Sequence, residues 1–522
     1  MLKLLESISY RDTNQFPALF LDYVDKKEEL NYFYKYYPDL KGFQQLIEER
    51  SSFDSGKREI LKNHFFNQYD GIEIHENVKE NIEKLSSPDT FTLTTGHQLN
   101  LFTGPLYFIY KILTVINLAE TLKKEFPDKT FVPLYWMASE DHDFEEIQYF
   151  NFDGKKYRWE SDQKGAVGRF SLDKIQDFLK TLPVPEVYKS FYSGSSSLAE
   201  AHLKLVNHLF AEYGLVVLDA DSKELKASFG DIIKNDTDSK SSFVNTDRST
   251  KALKKLDYTT PVNPRKINYF YLADGLRERI EINGDEFYYD SNTEVQKIII
   301  GDLIKNEPEK ISPNVISRPL YQEYILPNLA YVGGPSELSY WLQLKSTFES
   351  LNINFPLLVP RYSASLVSEK ALKKLKEIGL DHLKTLFEEE RVVLKKLLIK
   401  NDLLDGDKHE NWTKEIEKLF HTIKEEAEKK DKTLGPSVEG RKMKVLKELK
   451  KIRTKMESAE IRNQEILRNR FYFAKDELFP GGSFQERFDN VFEYLAENES
   501  FISELKQNFR NPFNFTHTIF KA

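Results

Sequence analysis

The sequence predicts an α/β protein with a parallel-sheet core, small antiparallel insertions and a C-terminal helical coiled coil. Three observations predict it. Between Phe91 and Ala138 the chain reads as strand, Gly-bearing loop, long helix and strand, the βαβ unit of a parallel sheet. Two Asx-Gly dipeptides, Asp153-Gly154 and Asn283-Gly284, separate β-type runs as tight antiparallel turns require. From Val445 onward apolar residues step by four and three, which is a heptad seam.

Composition bounds the rest. Of 522 residues 40% are hydrophobic and 13% aromatic, which suffices for a large core and excludes a disordered or fibrous chain. Lys and Arg total 75 against 83 Asp and Glu, a net charge of −8, so nucleic acid is not an expected partner. No run approaches the ~18 apolar residues of a membrane span. The opening MLKLLESISYRDTNQF lacks the regions of a signal peptide, and a cytoplasmic protein is expected. The chain has no Cys, which excludes disulfides, thiolate nucleophiles, iron–sulfur clusters and Cys-ligated zinc.

Taken in order, residues 1 to about 90 read as polar and helical with scattered aromatics. FTLTT from Phe91 is a short strand, followed by the loop GHQLNLFTGP and a helix from about Leu106 to Phe126. Phe108, Ile112, Val115, Ile116 and Leu122 fall near helical spacing there, and Pro105 suits the first turn. FVPLYWMA is a second, buried strand, although Pro133 is unusual inside one. The runs Leu215–Ala220, Leu329–Val332 and Phe355–Val359 complete the sheet, with a helix over Ser336–Leu351 joining the last two. Lys234–Pro264 is polar and reads as a mobile loop or a partly helical connector.

Near the C-terminus Val445, Leu449, Ile452, Met456, Ala459, Asn463 and Ile466 form one seam, and Trp412, Ile416, Leu419 and Ile423 form another. LGPSVEG, residues 434–440, carries the signals for a reversal, so an antiparallel hairpin is expected. Asn463 on the seam either pins register or reaches solvent. The expected division is a core over 1–365 with insertions near 145–170 and 231–316, a coiled-coil domain over 366–478, and a tail over 479–522 docked on the core.

Three segments carry candidate chemistry. The first, TTGHQLNLFTGP, lies between a strand end and a helix start, where open α/β sheets bind ligands and helix termini favour anions. Gly96 and Gly104 permit close backbone approach, and His97, Gln98 and Asn100 offer polar groups. No dinucleotide fingerprint or Walker loop is present, and an ordinary βα loop is the alternative. The second, SEDHDFEEI, places Glu140, Asp141, His142 and Asp143 at the next strand end. Carboxylates beside an imidazole suit general-base work, and acid pairs can hold Mg²⁺; Asp143 followed by Glu146 also resembles a helix capping box. The third spans Ser317–Leu344. Arg318 could grip a carboxylate or phosphate, Gln322 and Glu323 lie a turn on, and Gly333-Gly334-Pro335 breaks a strand before a helix opened by Ser336 and Glu337. Arg361 also ends a strand. His64, His75, His202, His208, His382, His409 and His421 show no ligand spacing, so no metal site is expected.

TGHQLNLFTGPLYFIYKI, ASEDHDFEEI and SRPLYQEYILPNLAYVGGPSELSYWLQLK closely resemble the cysteine ligase family of bacillithiol biosynthesis, BshC, and the likeness runs through the coiled coil to THTIF. Where this chain has His97, many members carry Gln. The resemblance implies a Rossmann-like core similar to class I aminoacyl-tRNA synthetases, two connecting insertions, and a coiled coil that makes a homodimer. It further implies amide formation between L-cysteine and the amine of glucosaminyl malate as the last pathway step. On this view His142, polarised by Asp141 or Asp143, takes the amine proton. Gly96, His97, Gln98 and the helix start hold an anionic group, and Arg318 or Arg361 meets the malyl carboxylates. ATP with Mg²⁺ is the candidate activating cosubstrate, although TGHQ resembles the synthetase signature only loosely and no KMSKS partner is found. A metabolite-binding protein with a partner-recruiting coiled coil, or a synthetase-like protein acting on tRNA, are the other readings.

Overall fold

Alternating apolar strands and amphipathic helices fold as their pattern requires, in a computed structural model that describes residues 2–291, 294–401 and 408–522. The side chains of Lys408 and His409 lie outside the described set, so the expectation for His409 does too. The chain forms two compact units. The first comprises Leu2, Gln15–Ala364 and Ser483–His517; the second comprises Lys3–Asn14, Ser365–Gly482 and Thr518–Ala522.

The first unit is built on a five-stranded, all-parallel sheet. Its strands are β1 (Thr90–His97), β2 (Thr130–Met137), β3 (Val216–Asp219), β4 (Asn328–Gly333) and β5 (Leu357–Pro360). Their spatial order is β5-β4-β1-β2-β3, so the strand order reverses between β1 and β4. All five runs expected from the sequence are in it. Each strand is buried on both faces, which is why these segments read as nearly continuous apolar and Thr runs. Helix α1 (Tyr107–Glu125) crosses between β1 and β2 and is buried almost throughout. Val115, Leu118 and Leu122 of α1 pack with Phe91, Leu93, Phe131 and Val332 of the strands.

Pro133 is tolerated for a geometric reason. Thr130 and Ala138 donate their N–H groups toward β1, so by the two-residue period position 133 faces β3. Pairing with β3 starts only at Leu134, and the missing donor costs no bond.

Hairpins decorate this sheet. Tyr149–Phe152 pairs with Lys155–Arg158 about Asp153-Gly154, whose φ angles of 48° and 69° are the left-handed pair a tight hairpin turn needs. In the second hairpin Asn283 faces Glu286, so the turn centres on Gly284-Asp285, one residue beyond the expected dipeptide. A third, unexpected hairpin joins Tyr269–Ala273 to Leu276–Arg279 through Asp274-Gly275. The 234–264 stretch is mostly helix, over Gly230–Ser239 and Ser241–Lys255, rather than a loop. Its polar residues pair with polar residues: Thr246 with Thr347 at 3.0 Å and Ser249 with Ser346 at 2.8 Å. The helix expected over Ser336–Leu351 is two, α4 (Pro335–Trp341) and Lys345–Ser350.

The second unit corrects three expectations. Lys3–Ser9 is a strand, not helix. The hairpin helices α5 (Lys408–Lys430) and α6 (Leu434–Asn463) reverse at residues 431–433, where Asp431 Oδ1 accepts from the Thr433 N–H and hydroxyl at 2.8 Å. LGPSVEG instead opens α6, with Pro436 in the first turn, where its missing donor is harmless. Asn463 ends α6 ahead of a break at Gln464, so the seam stops there and Ile466 belongs to the next helix. Leu419, Ile423, Val445, Ile452, Met456 and Ile466 remain 40–69% exposed, because two helices alone cannot enclose a full apolar stripe.

Candidate functional site

A cavity of about 870 Å³ opens at the carboxyl edge of the sheet, over the reversal between β1 and β4. Gly96 and His97 reach it from β1, Glu140–Asp143 from the end of β2, Asp221 from beyond β3, and Gly334 and Glu337 from beyond β4. Helix α3 (Ser317–Ile325) contributes Arg318, and the third hairpin contributes Arg277.

At the floor, Gly96 packs closely: a Cβ there would sit 3.2 Å from the Tyr331 hydroxyl, a tight contact, and 3.7 Å from an Arg318 nitrogen. The Gly96 carbonyl accepts from Lys111 Nζ at 2.7 Å. Lys111 projects from α1, is 2% exposed, and pairs with Glu337 at 2.5 Å. Glu337 also accepts from Tyr331 at 2.7 Å and from the Gly334 N–H at 2.8 Å. Burial would raise its carboxyl, but Lys111 together with the Tyr331 and Gly334 donors holds it below the usual range. The expected anion site at this helix mouth is thus filled by the helix's own Glu337.

Arg318 differs. Its guanidinium donates to Gln322 Oε1 at 2.8 Å and to the Tyr340 hydroxyl at 3.3 Å, and it lies 5.7 and 5.5 Å from the Trp136 and Tyr331 rings. Among the described residues no carboxylate forms an ion pair with it. A guanidinium set in a cavity wall between rings leaves its charge to be met by an incoming anion.

On the β2 side, Gln98 Nε2 donates to Asp141 Oδ2 and Glu146 Oε2, each at 2.9 Å. Burial would raise the Asp141 carboxyl, but hydrogen bonds from His142 and Gln98 and the charge of Arg277 hold it well below the carboxylate range. Arg277 Nη1 approaches His142 Nδ1 at 2.8 Å. Arginine only donates, so Nδ1 is the acceptor and the neutral ring carries its proton on Nε2. Asp141 is 3.6 Å from Nδ1 and Asp143 is 3.9 Å from Nε2, both beyond hydrogen-bond distance. The two carboxylates thus flank His142 at ion-pair distance while its Nδ1 meets Arg277, and Asp143 makes no side-chain cap. These three residues place possible ligand atoms within 4.8 Å of one another, but the Arg277 charge beside His142 and Asp141 opposes a cation.

Glu140 occupies a separate niche. It forms an ion pair with Lys226, on the short helix α2 (Lys223–Ser228), and Lys226 also holds Asp221 Oδ1 at 2.9 Å and the Glu309 carbonyl at 3.0 Å. Arg169 grips Asp221 with two bonds of 2.8 and 3.1 Å. Burial raises the Glu140 carboxyl to about 7, with Lys226 opposing and Asp221 adding to the rise.

Other expected residues have structural duties. His97 lies edge-on to Tyr107 and tilted against Phe108, its buried Nε2 has no hydrogen-bond partner among the described residues, and burial beside Lys111 holds the ring neutral. Asn100 and Gly104 are outside the cavity; Gly104, at φ 65°, packs on Asn100 and its carbonyl accepts from Asn490 at 2.7 Å. The start of α1 also turns away, with the Leu106 N–H donating to the Asp489 carbonyl at 2.8 Å. Gln322 is fully buried between Arg318 and Glu323, and Gly333 packs beneath Glu337 and Leu338. Arg361 reaches the wall, where Glu486 compensates its charge at 2.5 Å and the Tyr362 carbonyl accepts from it at 2.7 Å.

Sequence reasoning missed Lys111, Asp221, Lys226 and Arg277. Lys111 was detectable as a lone charge in the apolar run YFIYKILTVINLA, and Asp221 as an acid just past a strand end. Arg277 and Lys226 arrive from a hairpin and a short helix whose sequences carry no such signal.

Among the described residues no helix is long and apolar enough to cross a membrane. Residues 4–362 match the family model described as bacillithiol biosynthesis BshC, N-terminal Rossmann-like domain, and residues 364–522 match its C-terminal coiled-coil domain. A protein of Flavobacterium johnsoniae named "Putative cysteine ligase BshC" is 41% identical, covering 97% of each chain. Relatives with the same name from Cytophaga hutchinsonii and Flavobacterium psychrophilum are 38% identical over 97% of this chain and 96% of theirs, and 39% identical over 99% of both. With matches that run along essentially its whole length, this chain belongs to the BshC family of bacillithiol biosynthesis.

Proposed function

We propose that this chain is a ligase that joins the carboxyl group of L-cysteine to the amine of glucosaminyl malate, forming the carbon–nitrogen bond that completes bacillithiol. The observation that carries the reading is Arg318, a cavity-wall guanidinium held by Gln322 and Tyr340 and paired with no carboxylate among the described residues. A malyl group brings two carboxylates, and Arg318 offers one of them a cation on the cavity wall. Arg277 and the Nε2–H of His142 add donors on the opposite wall. This gives His142 a role in holding an anion, in place of the base role its sequence suggested.

Amide formation needs an activated carboxyl group, and ATP with Mg²⁺ is the cosubstrate we propose. The anion donors at the carboxyl edge of the sheet fit a phosphate, whereas the helix starts expected to help are already satisfied. We further propose a cytoplasmic homodimer formed through the coiled coil, with the exposed stripe of α5 and α6 as its seam. The functional division we propose keeps a 1–365 core, a 366–478 coiled-coil domain and a 479–522 tail docked on the core.

The test is product mass spectrometry on purified protein given L-cysteine and glucosaminyl malate, with and without ATP and Mg²⁺. Bacillithiol formed only with ATP is the expected result, and release of AMP or ADP identifies the intermediate. Arg318→Ala should raise KM for glucosaminyl malate by 10-fold or more, for ~1.5–3 kcal/mol of lost charged hydrogen bonding. No product under any condition, with the metabolite still bound, would favour a non-catalytic binding protein.

A further inference from the structure

We propose that Glu140 is the general base that accepts the proton of the attacking amine. The inference rests on the ligase reading and adds to it the group that moves the proton. It starts from which cavity groups are able to do so. Asp141 is held as an anion by the Gln98 amide, the His142 backbone N–H and the charge of Arg277, and Glu337 is saturated by Lys111, Tyr331 and the Gly334 N–H. His142 accepts from Arg277 on Nδ1 and carries its proton on Nε2. His97 is buried against aromatic rings. Of the other carboxylates on the wall, Glu146 accepts from Gln98 at 2.9 Å, Asp221 is held by both Lys226 and Arg169, and Asp143 is 56% exposed to water. Glu140 lines the cavity with a side chain 15% exposed and, among the described residues, Lys226 as its one direct counter-ion.

The surroundings of Glu140 show how its basicity is set. Lys226, 2% exposed, is its direct counter-ion, yet that single cation is shared with Asp221. Arg169 serves Asp221 rather than Glu140, and Arg277 faces both Glu140 and Asp141. Tyr321, from α3, is neutral and also lies within the field of Glu140. Behind Asp221 the Asp219 carboxyl accepts from Ser139 and from the Asp221 N–H. One shared ammonium between two carboxylates in a buried niche leaves the more exposed of the pair in need of a proton near neutrality, which is the poise a general base requires.

The step balances as follows. The carboxyl partner enters as a mixed acyl–phosphoric anhydride, and the amine is bound neutral. Its nitrogen lone pair forms the C–N bond to the acyl carbon. The N–H proton passes to the Glu140 carboxylate, and the C–O bond to the phosphate breaks with its electron pair on the departing phosphate oxygen. Products are the amide, the phosphate species and protonated Glu140, which returns its proton to solvent.

The experiment measures kcat against pH at saturating substrates on the full-length protein, after wild type has been shown to make the amide, because kcat/KM would also carry the ionisation of the free amine. Wild type should lose activity on the acid side with a midpoint near 7, matching the carboxyl value of about 7. Glu140→Gln should lower kcat by 10²-fold or more and abolish that acid limb, in keeping with the ~10²–10⁴-fold typical of general-base catalysis. Asp221→Asn removes one negative neighbour and leaves Lys226 to Glu140 alone, so the limb should move to lower pH. That second variant decides the matter if Glu140→Gln fails to fold, since a purely structural Glu140 would not move the limb. Amide formed by Glu140→Gln at near wild-type kcat, or a limb unmoved by Asp221→Asn, would overturn the assignment while leaving the ligase reading intact. Absence of amide from wild type would overturn both.

Discussion

The buried pair under the cavity floor allows the strongest quantitative test. Lys111 is 2% exposed and Glu337 is 25% exposed, 2.5 Å apart. Removing one partner of a buried pair typically costs ~3–5 kcal/mol, because the other charge is left uncompensated. The two cases should be unequal. Glu337→Gln leaves Lys111 deep in α1 with neutral acceptors alone, the Gly96 carbonyl and the new amide oxygen, so a loss of ~3 kcal/mol is expected, near the low end of that range. Lys111→Met leaves Glu337, which keeps bonds from Tyr331 and the Gly334 N–H and faces the cavity. Its cost should therefore be smaller, ~1–2 kcal/mol. The double variant buries no lone charge and should cost little more than Lys111→Met, which gives a coupling of ~2 kcal/mol or more. Urea unfolding followed by Trp fluorescence reports on this region, since Trp136 and Trp341 lie close to it. Single-variant losses that add to within ~0.5 kcal/mol would show that the pair is not coupled and would refute the reasoning.

Two further outcomes are expected. His202 is fully buried, its Nε2 is 3.0 Å from the Tyr135 hydroxyl, and burial lowers its pKa to about 3. Because the folded value lies below the unfolded one of ~6.5, protonation favours the unfolded chain. Its contribution to stability is therefore complete above about pH 6.5 and is lost at up to ~1.4 kcal/mol per pH unit as pH falls toward 3. His202→Gln should flatten urea midpoints over that window by about one proton; an unchanged slope would count against the burial argument. In the coiled coil, Ile452→Asp combined with Leu419→Asp places charges on the exposed stripe and should convert a dimer to monomer in sedimentation velocity, without loss of helical circular dichroism. A dimer that survives the double substitution would place its seam elsewhere.

The sequence by itself determined the sheet and the edge on which chemistry sits. Buried parallel strands need apolar residues on both faces, so FTLTT, FVPLYWMA and the three later runs stood out locally, and polar clusters at their ends marked the cavity. Gly96 was legible for the same reason, as a strand-end position where backbone must pass close to a neighbour. What the residues at those ends do was a tertiary decision. Arg361 and Glu337 read like Arg318, yet Glu486 and Lys111, distant in sequence, pair with the first two, whereas among the described residues Arg318 has no carboxylate partner. His142 became a hydrogen-bond acceptor because a hairpin more than a hundred residues later supplies Arg277. Periodicity is a local property and survives in the sequence; charge compensation depends on which strangers the fold brings within a few ångströms, and only the tertiary structure decides that.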